Sequence, residues 1–312
     1  MAIVTQEKPG NYLKITKAIV DSDIDGVVCA AMLCCIFGEL QITLAEPRDV
    51  QAGLYNNVVD SNTVIADLGF VDGCGLYFDH HLSNKPKNGN KIAGRWKSSP
   101  SAARIIFDYF RLDFDLKKYK EIVDFVDSFD SGKVCMEEIE NPNELMSLGF
   151  AITRKDKIFA MKVLRTLAKM KTLKNFFAQK FIVNRLELYR KYLQEYKKYL
   201  GTHTEVIENI AFIDNREFTK DVTHSYFTNI LFPDTKVAVS IKKDKNDAKI
   251  IILSLYRNSF CKKPTKYNLL DIVKQINPKN FGGHSYACGV TLPKRMSLEQ
   301  AKKIILEMFK KD

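Results

Sequence analysis

Short apolar segments that run into acidic residues recur through the first 130 residues, and this pattern limits the fold more than any other feature. Four such segments are predicted as strands, namely Leu13–Val20, Gln41–Ala45, Thr63–Ala66 and Leu76–Phe78. Helices are predicted at three places, which are Val27–Phe37, the stretch that starts at Ser99 and Pro100, and Tyr119–Phe129. Strands that alternate with helices favour an α/β fold with an open parallel sheet, whose ligands bind beyond the carboxyl ends of the strands. The acidic residues are expected at that edge.

The size and composition of the chain exclude several classes of protein. Its 312 residues are too many for one comfortable core and fit two domains. It has no run of 18 apolar residues and no basic-then-apolar N-terminal segment, so we expect neither a membrane span nor a secretory signal. Seven cysteines without a C-x-x-C spacing are typical of reduced thiols in a cytoplasmic protein.

A basic segment joins the two predicted domains. Between Arg154 and Lys198 there are 14 Lys or Arg and three acidic residues, so this segment carries the whole formal net charge of +11. Residues 156 to 200 contain no glycine or proline and place apolar residues on one stripe, which predicts a connecting helix. Its basic face fits either a polyanionic partner or an ordinary solvated surface rich in lysine. The predicted organisation is an N-terminal domain at 1–155, a helical connector at 156–205 and a C-terminal domain at 206–312.

The C-terminal segment has strands and helices in mixed order. Four strands are predicted, at Ala211–Asp214, Lys236–Ile241, Lys249–Tyr256 and Cys288–Leu292. Three helices are predicted, at Val222–Leu231, Asn268–Ile276 and Ser297–Lys310, and the last begins with a Ser-x-x-Gln capping box. This order predicts a smaller α/β domain with a mixed sheet.

Three carboxylates alternate just past the first predicted strand. Asp21, Asp23 and Asp25 form the hard oxygen ligands that Mg²⁺ and Mn²⁺ prefer. A calcium loop of the EF-hand type starts in the same way but needs a glutamate where Met32 stands. An exposed acidic turn is the remaining alternative.

Further acidic residues and two histidines follow later strands and a helix. Asp67 follows the third predicted strand, and Asp79, His80 and His81 close the fourth. Carboxylates combined with imidazole suit Mn²⁺ or Fe²⁺ better than Ca²⁺. A last acidic cluster lies at the end of the predicted helix Tyr119–Phe129. Within it, Asp130 is the preferred metal ligand and Asp127 remains an alternative.

These acidic motifs, in this order, resemble those of the DHH phosphoesterase superfamily. They read DSDIDG from Asp21, ADLG from Ala66, DHH from Asp79 and DSFDSG from Asp127. The segment Asn280–Gly289 is similar to the GGH signature of the DHH-associated C-terminal domain, and Ser254–Asn258 resembles its arginine strand. The resemblance covers nearly the whole chain and points to the nano-RNase and RecJ-like exonuclease type.

The resemblance implies a site with two divalent ions, for which Mn²⁺ is the first choice and Mg²⁺ the second. Asp23 and Asp25 would bind one ion each, and Asp67 would bridge them as a catalytic residue. His80 and Asp130 would complete the ligand set. Asp21 also belongs to the predicted metal set, at a position where many members have histidine. His81, the second catalytic residue, would lie near the substrate phosphate.

The same resemblance predicts a substrate-binding group in the C-terminal domain. Arg257 and His284 would hold a phosphate or a terminal base, and Gly282 and Gly283 would allow close approach of the backbone. An ion pair of Arg257 with Asp271 is the structural alternative.

The implied activity is hydrolysis of short oligonucleotides to 5′-mononucleotides, by a nano-RNase or single-strand exonuclease that uses a hydroxide held between two metals. The implied partner is a short single-stranded RNA or DNA or a dinucleotide, without a membrane, and a homodimer is left open. The first alternative is a phosphodiesterase for cyclic or linear dinucleotides or for phosphoadenosine phosphate. A second, from another class, is a nucleic-acid-binding subunit with a degenerate metal site.

Overall fold

The computed structural model describes residues 14–86, 93–220, 225–244 and 247–310. Contacts divide the chain into two compact units. The first comprises Met1–Val134 and Pro142–Leu188, and the second comprises Cys135–Asn141 and Tyr189–Asp312. The boundaries predicted after residues 155 and 205 stay predictions.

A five-stranded sheet forms the centre of the first unit. Its strands are β1 (Lys17–Asp21), β2 (Gln41–Ala45), β3 (Thr63–Ala66), β4 (Leu76–Asp79) and β5 (Gly94–Trp96). They lie in the order β2-β1-β3-β4-β5, and every neighbouring pair is parallel. The predicted parallel sheet is confirmed, although the beginning predicted for β1 at Leu13 lies outside the described residues. Strand β5 was not predicted from the sequence.

Nine α-helices are described between β1 and residue 203. They are α1 (Ile24–Phe37), α2 (Pro47–Gln51), α3 (Ala102–Phe110), α4 (Lys120–Asp130), α5 (Met136–Glu140), α6 (Glu144–Ala151), α7 (Lys157–Lys169), α8 (Leu173–Phe177) and α9 (Lys180–His203). Helix α1 is buried over most of its length and contacts α3, α4 and α7. The start predicted for α3 at Ser99 and Pro100 is wrong, because the helix begins at Ala102 and Ser101 caps it by accepting a hydrogen bond from the Arg104 N–H. Ser101 is the residue before the first helical turn, where such a side chain satisfies a free N–H group.

The stretch from 156 to 200 forms three helices rather than the single helix predicted. Helix α7 ends before Met170, and Thr172 begins α8 by accepting a hydrogen bond from the Asn175 N–H. A second break precedes α9 at Lys180. The absence of glycine and proline did not reveal these breaks, because a threonine cap can begin a new helix by itself. Six of the seven stripe residues are buried, namely Phe177, Leu186, Tyr189, Leu193, Tyr196 and Leu200, and Phe181 is half-buried.

The second unit contains a mixed sheet, as predicted, although the sheet has six strands rather than the four predicted. Its strands are β6 (Thr204–Ile207), β7 (Ile210–Asp214), β8 (Val237–Lys243), β9 (Ile251–Arg257), β10 (Phe281–Gly283) and β11 (Ala287–Thr291). They lie in the order β10-β11-β9-β8-β7-β6, and only β7 and β8 form a parallel pair. The helices are α10 (Ser225–Leu231), α11 (Leu269–Ile276) and α12 (Leu298–Phe309). The beginning predicted for α10 at Val222 lies outside the described residues, whereas the capping box of α12 is confirmed at Ser297.

A hydrophobic core of the second unit lies between its sheet and helices α11 and α12. Val239 and Leu255 of the central strands pack with Ile272 of α11 and Ile305 of α12. In the described part of the chain, no helix is both long and apolar enough to cross a membrane.

Candidate metal centre and active site

The carboxyl ends of three neighbouring strands carry most of the acidic motifs. Asp21 is the last residue of β1, Asp67 directly follows β3, and Asp79 is the last residue of β4. Since β1, β3 and β4 are adjacent and parallel, these ends meet at one edge of the sheet. This edge is the position that the sequence predicted for a ligand site.

The first acidic motif is held by the tight start of α1. Asp23 caps this helix, and its side chain accepts a hydrogen bond from the Gly26 N–H at 3.2 Å. A Cβ atom on Gly26 would lie 2.1 Å from the Asp21 carbonyl oxygen, so only glycine lets the helix begin so close to β1. The glycine of the motif therefore brings Asp21, Asp23 and Asp25 to the same place.

Asp25 connects α1 to the first turn of α3. Its side chain is 1% exposed, and its two oxygens accept hydrogen bonds from the N–H groups of Ala102 and Ala103 at 2.7 and 2.8 Å. These N–H groups have no partner within their own helix, and the helix dipole favours a negative charge there. The carboxylate is thus fixed in orientation before any ion binds.

His80 lies at the centre of the acidic cluster. Its Nε2 atom is 3.3 Å from Asp130 Oδ2, 3.4 Å from Asp67 Oδ1 and 3.7 Å from Asp25 Oδ2. Its Nδ1 atom lies 3.0 Å from the Ser99 carbonyl oxygen, which can only accept, so Nδ1 carries the proton. Burial, followed by the charge of His81, lowers the pKa of His80 to about 4. A neutral imidazole with its Nε2 lone pair facing the carboxylates is the form that binds a metal.

Asp67 has an unusual backbone conformation and a buried, unsatisfied oxygen. Its φ angle is 58°, in the left-handed region that few residues other than glycine, asparagine and aspartate adopt. The side chain is 2% exposed, and within the described residues Oδ1 accepts no hydrogen bond. A buried carboxylate oxygen without a donor is costly, and a cation would satisfy it.

The pKa values show the shortage of positive charge in this cluster. Burial first, and then mutual repulsion, raises the pKa of Asp25 and that of Asp67 well above the usual range. The same causes raise the pKa of Asp130 to about 7, mainly through burial and the charge of Asp23. Burial also raises the pKa of Asp21 to about 6, although Arg154 opposes the shift.

The residues present fit divalent ions. Two ligands of a six-coordinate ion at about 2.1 Å lie about 3.0 Å apart, and the donors around His80 Nε2 are only slightly farther from it. Carboxylate oxygens with one imidazole nitrogen are a donor set that suits Mn²⁺, and the oxygens among them are also ligands for Mg²⁺. Three groups of candidate ligands in this unit have atoms within 4.8 Å of one another, and together they include every predicted metal ligand.

Mn²⁺ is expected to raise the melting temperature more at pH 8 than at pH 6. The folded pKa of Asp130, about 7, exceeds its ordinary value of 3.8, so the folded protein binds a proton that the unfolded chain has lost. The stabilisation from this proton is complete below the ordinary pKa of 3.8, and it disappears as the pH rises through the folded pKa of about 7. At a pH above the folded pKa of Asp130, the carboxylates are ionised and repel one another, and Mn²⁺ binds without displacing protons.

Calorimetry with Mn²⁺ or with a chelator at both pH values measures this difference. Asp130→Asn should reduce the dependence on pH, whereas the exposed Asp72→Asn should preserve it. An equal gain in melting temperature at both pH values would contradict the titration of a metal-binding carboxylate.

His81 is held by a buried carboxylate rather than by the acidic cluster itself. Its Nδ1 atom donates to Asp79 Oδ1 at 2.8 Å, and Asp79 also accepts a hydrogen bond from the Tyr77 hydroxyl at 2.9 Å. Burial alone would lower the pKa of His81, but the hydrogen bond and charge of Asp79 raise it to about 9. Burial is the largest single influence on the pKa of Asp79 and raises it, but the hydrogen bond and charge of His81, with smaller contributions from Asn84 and His80, together lower it below the usual value. His81 is therefore a cation at neutral pH.

The fourth acidic motif contains one residue that faces His80 and one that does not. Asp130, the last residue of α4, places Oδ2 near His80 Nε2. Asp127 accepts hydrogen bonds from Arg104 Nε at 2.7 Å and from the Ser101 hydroxyl at 2.6 Å. The geometry therefore favours Asp130 as the ligand and gives Asp127 a structural role.

Arg154 is a residue of this site that the sequence did not single out. It lies between α6 and α7, and its guanidinium contacts the carboxylates of Asp21 and Asp23. In the sequence it was only the first of the 14 basic residues of the connecting segment. No motif spacing links it to Asp21, which is 133 positions away.

The residues predicted to bind substrate lie in the second unit. Arg257 is the last residue of β9, and its Nη2 atom donates to the Tyr267 carbonyl oxygen at 2.9 Å. In the described part of the chain it forms no ion pair with Asp271, and its buried Nε atom has no hydrogen-bond partner. This arrangement does not support the structural alternative for Arg257.

The GGH signature forms a tight hairpin beside Arg257. Gly282 and Gly283 lie in β10, which pairs with β11, and the Arg257 N–H donates to the Tyr286 carbonyl oxygen in the turn. Gly283 has a φ angle of 118°, and a Cβ atom there would lie 2.5 Å from the Ala287 carbonyl oxygen. The His284 ring is parallel to the Tyr286 ring, with the centroids 5.1 Å apart. The glycines are required by the backbone, and the hairpin presents two aromatic rings.

Comparison with known proteins supports the fold. No protein-family model and no curated protein matches the sequence. A pGpG-specific phosphodiesterase from Vibrio cholerae, PggH, superposes with a TM-score of 0.68 at 20% identity, over 95% of this chain and 98% of that one. RecJ from Thermus thermophilus in complex with Mn²⁺ gives a TM-score of 0.58 at 12% identity, over 95% of this chain and 52% of that one. RecJ from the same organism with Mg²⁺ gives 0.52 at 13% identity, over 95% and 50%.

A parallel sheet with acidic residues and histidines at its carboxyl edge, followed along the chain by a mixed sheet with a GGH hairpin, makes up the fold of this chain. The chain has the fold of the DHH superfamily, to which PggH and RecJ belong. The resemblance predicted from the sequence is confirmed in the fold. The chain spans nearly all of PggH but only about half of the Thermus RecJ.

Proposed function

We propose that the protein is a metal-dependent phosphodiesterase that hydrolyses short oligonucleotides to 5′-mononucleotides. The observation that carries this proposal is the convergence of Asp25, Asp67 and Asp130 on Nε2 of His80. These residues come from distant parts of the sequence, and their burial without a cation is unfavourable. A packing role alone does not explain such an arrangement.

Asp23, Asp25, Asp67, His80 and Asp130 would hold two divalent ions, with Mn²⁺ as our first choice and Mg²⁺ as the second. When bound, such ions supply a nucleophilic water near neutral pH and neutralise charge on the phosphoryl oxygens. The fixed hydrogen bonds of Asp25 and His80 orient their donor atoms in advance.

His81 would act on the substrate rather than on a metal. Its Nδ1 atom donates to Asp79, and the proposal assigns the Nε2–H group to the substrate. As a cation, His81 stabilises negative charge on a phosphoryl oxygen and can transfer the Nε2 proton to the leaving oxygen.

The second unit would supply substrate recognition. The free Nε–H of Arg257 and the rings of His284 and Tyr286 lie around one hairpin. A guanidinium binds phosphate, and aromatic rings stack on bases. Together they suit the end of a short nucleotide chain.

Linear or cyclic dinucleotides are the second candidate substrate, together with phosphoadenosine phosphate. The comparison with PggH supports this candidate, because the two chains match over nearly their full lengths and PggH is specific for pGpG. In the Thermus RecJ, in contrast, only 52% of the chain matches, so about half of that protein has no counterpart here. We also propose a cytoplasmic location, since all seven cysteines are free thiols, as expected in a reducing compartment.

The test is hydrolysis of 5′-phosphorylated RNA and DNA in a length series that starts at the dinucleotide, with Mn²⁺ and with Mg²⁺. Release of mononucleotides from several lengths would support the oligonucleotide proposal. Activity confined to dinucleotides and phosphoadenosine phosphate would select the second candidate. If no phosphoester is cleaved while single strands bind in a salt-sensitive manner, the protein is a binding subunit and both candidates fail.

A further inference from the structure

The Arg154 side chain forms a fork with a buried carboxylate at the acidic edge of the sheet. Nε donates to Asp21 Oδ1 at 3.0 Å, and Nη2 donates to Asp21 Oδ2 at 2.6 Å. Nη2 also donates to Asp23 Oδ2 at 2.6 Å. Asp21 is 1% exposed, whereas the Arg154 side chain is 45% exposed. The pair thus has one end fixed in the interior and the other facing solvent.

Both oxygens of Asp21 are engaged by protein donors. Besides the contacts with Arg154, Oδ1 accepts a hydrogen bond from the Ser22 N–H at 2.6 Å. A bidentate pair of guanidinium and carboxylate is among the stronger charge-assisted contacts in proteins, and a lysine could not reproduce it. Asp21 therefore differs from Asp67, which has a buried oxygen without a donor in the described part of the chain.

The loop that carries Arg154 is fixed on its C-terminal side. Asp156 caps α7 by accepting from the Phe159 N–H, and it pairs with Arg185 at 2.7 Å. Lys157 Nζ donates to the Leu44 carbonyl oxygen in β2 at 2.9 Å. These contacts tie the start of α7 to the strand beside β1, so the guanidinium position is built into the fold.

The charges of the cluster balance when Arg154 is counted with it. Besides Asp79, which pairs with His81, five carboxylates converge at this edge, those of Asp21, Asp23, Asp25, Asp67 and Asp130. Two divalent ions compensate four of the negative charges, and the guanidinium compensates the fifth. Burial alone would lower the pKa of Arg154, but the charges of Asp21 and Asp23 raise it, so the side chain stays a cation.

We propose that Asp21 is a positioning residue that anchors Arg154 rather than a metal ligand, and that Arg154 binds a non-bridging oxygen of the phosphate to be cleaved. This departs from the role that the sequence predicted for Asp21, and it rests on the proposed function. Nε and Nη2 are held by the carboxylates, and the two N–H groups of Nη1 take no part in these contacts. Asp21, Asp23 and Asp67 offer oxygens within 4.8 Å of one another, so the guanidinium lies directly beside the metal centre.

The decisive measurement is Mn²⁺ binding by calorimetry and by electron paramagnetic resonance. Asp21→Asn and Arg154→Gln are each expected to bind as many Mn²⁺ ions per chain as the unchanged protein. With Mn²⁺ present, both variants should bind inorganic phosphate about 10- to 100-fold more weakly, the range for losing a charge-assisted hydrogen bond. Arg154→Lys should bind phosphate with intermediate affinity, because it keeps the charge but loses the fork.

Arg165→Gln is the matched control, because it removes the same charge from an exposed position on α7. It should leave both Mn²⁺ and phosphate binding unchanged. The double variant Asp21→Asn/Arg154→Gln should bind phosphate no more weakly than either single variant, because both changes remove the same interaction.

Two results would overturn the proposal. One is the loss of a Mn²⁺ ion from Asp21→Asn, or tighter Mn²⁺ binding by Arg154→Gln, either of which would make Asp21 a ligand for which Arg154 competes. The other is unchanged phosphate binding in a folded Arg154→Gln variant. The proposed function fails separately, if the unchanged protein binds Mn²⁺ and phosphate but cleaves no phosphodiester.

Discussion

Replacement of Asp67 by asparagine is expected to lower kcat for phosphodiester hydrolysis by roughly 10³-fold, a large effect for a single change at a preorganised charged centre. The side chain is buried, and its Oδ1 lies 3.4 Å from His80 Nε2. Asparagine has nearly the same size as aspartate but no charge. The change would therefore remove a ligand that the two metal ions are predicted to share, and it would leave no cavity. Steady-state kinetics together with Mn²⁺ binding measure the effect.

Asparagine is a better test than alanine because of the backbone at this position. The φ angle of 58° costs alanine about 1–2 kcal/mol, whereas asparagine adopts it readily. Alanine at this position would therefore combine a loss of charge with backbone strain. The free energy of unfolding of Asp67→Asn without metal should be equal to or greater than that of the unchanged protein, because one repelling carboxylate is gone.

Asp72→Asn is the control, since Asp72 is an exposed carboxylate a few residues later in the same loop. It should leave kcat and Mn²⁺ binding unaltered. Near-normal turnover by Asp67→Asn with Mn²⁺ would remove Asp67 from the catalytic centre and the bridging assignment with it.

His81→Asn is expected to lower kcat by about 10²- to 10⁴-fold while leaving the number of bound Mn²⁺ ions unchanged. His81 donates a hydrogen bond to Asp79 and carries a positive charge at neutral pH. Because both of its ring nitrogens are then protonated, it has no lone pair with which to bind a metal. Its loss should therefore affect the chemical step and not metal binding. Asp79→Asn should lower kcat less, because the imidazole remains but loses its anchor.

His203→Asn serves as the control for histidine removal, since His203 is exposed in the second unit and stacks on Tyr199. It should have no effect on kcat. If His81→Asn instead releases a Mn²⁺ ion, His81 is a ligand and its assignment as the group that acts on the leaving oxygen is wrong.

The sequence predicted the parts of the fold in which local pattern and tertiary burial agree. The strands β2 and β3 have the predicted bounds, because each is a short run rich in β-branched or apolar residues that an acidic residue follows at once. The edge position of Asp21, Asp67 and Asp79 followed from the parallel order of their strands. The short strands β5, β6 and β10 were not predicted from the sequence.

The parts of the candidate site that the sequence did not predict depend on contacts with the backbone or across long separations. The carbonyl group of Ser99 sets the tautomer of His80, and every residue type has a carbonyl group. Tyr77 supports Asp79 from within a strand, where an aromatic residue needs no functional explanation. The sequence did not distinguish Arg154 from the other basic residues of its segment, because only the folded chain shows which of them pairs with a buried carboxylate.

The hydrogen bonds that Asp25 receives from the first turn of α3 restrict how the metal preference of such a protein could be re-engineered. A histidine substituted at this position would offer a softer donor but could not accept from both Ala102 and Ala103, so α3 would lose its attachment to α1. Asp130 ends its helix and has a side chain 25% exposed, so it can be exchanged with less disturbance of the scaffold. In a protein with the proposed metal centre, ligand exchange intended to favour iron or zinc should therefore begin at Asp130.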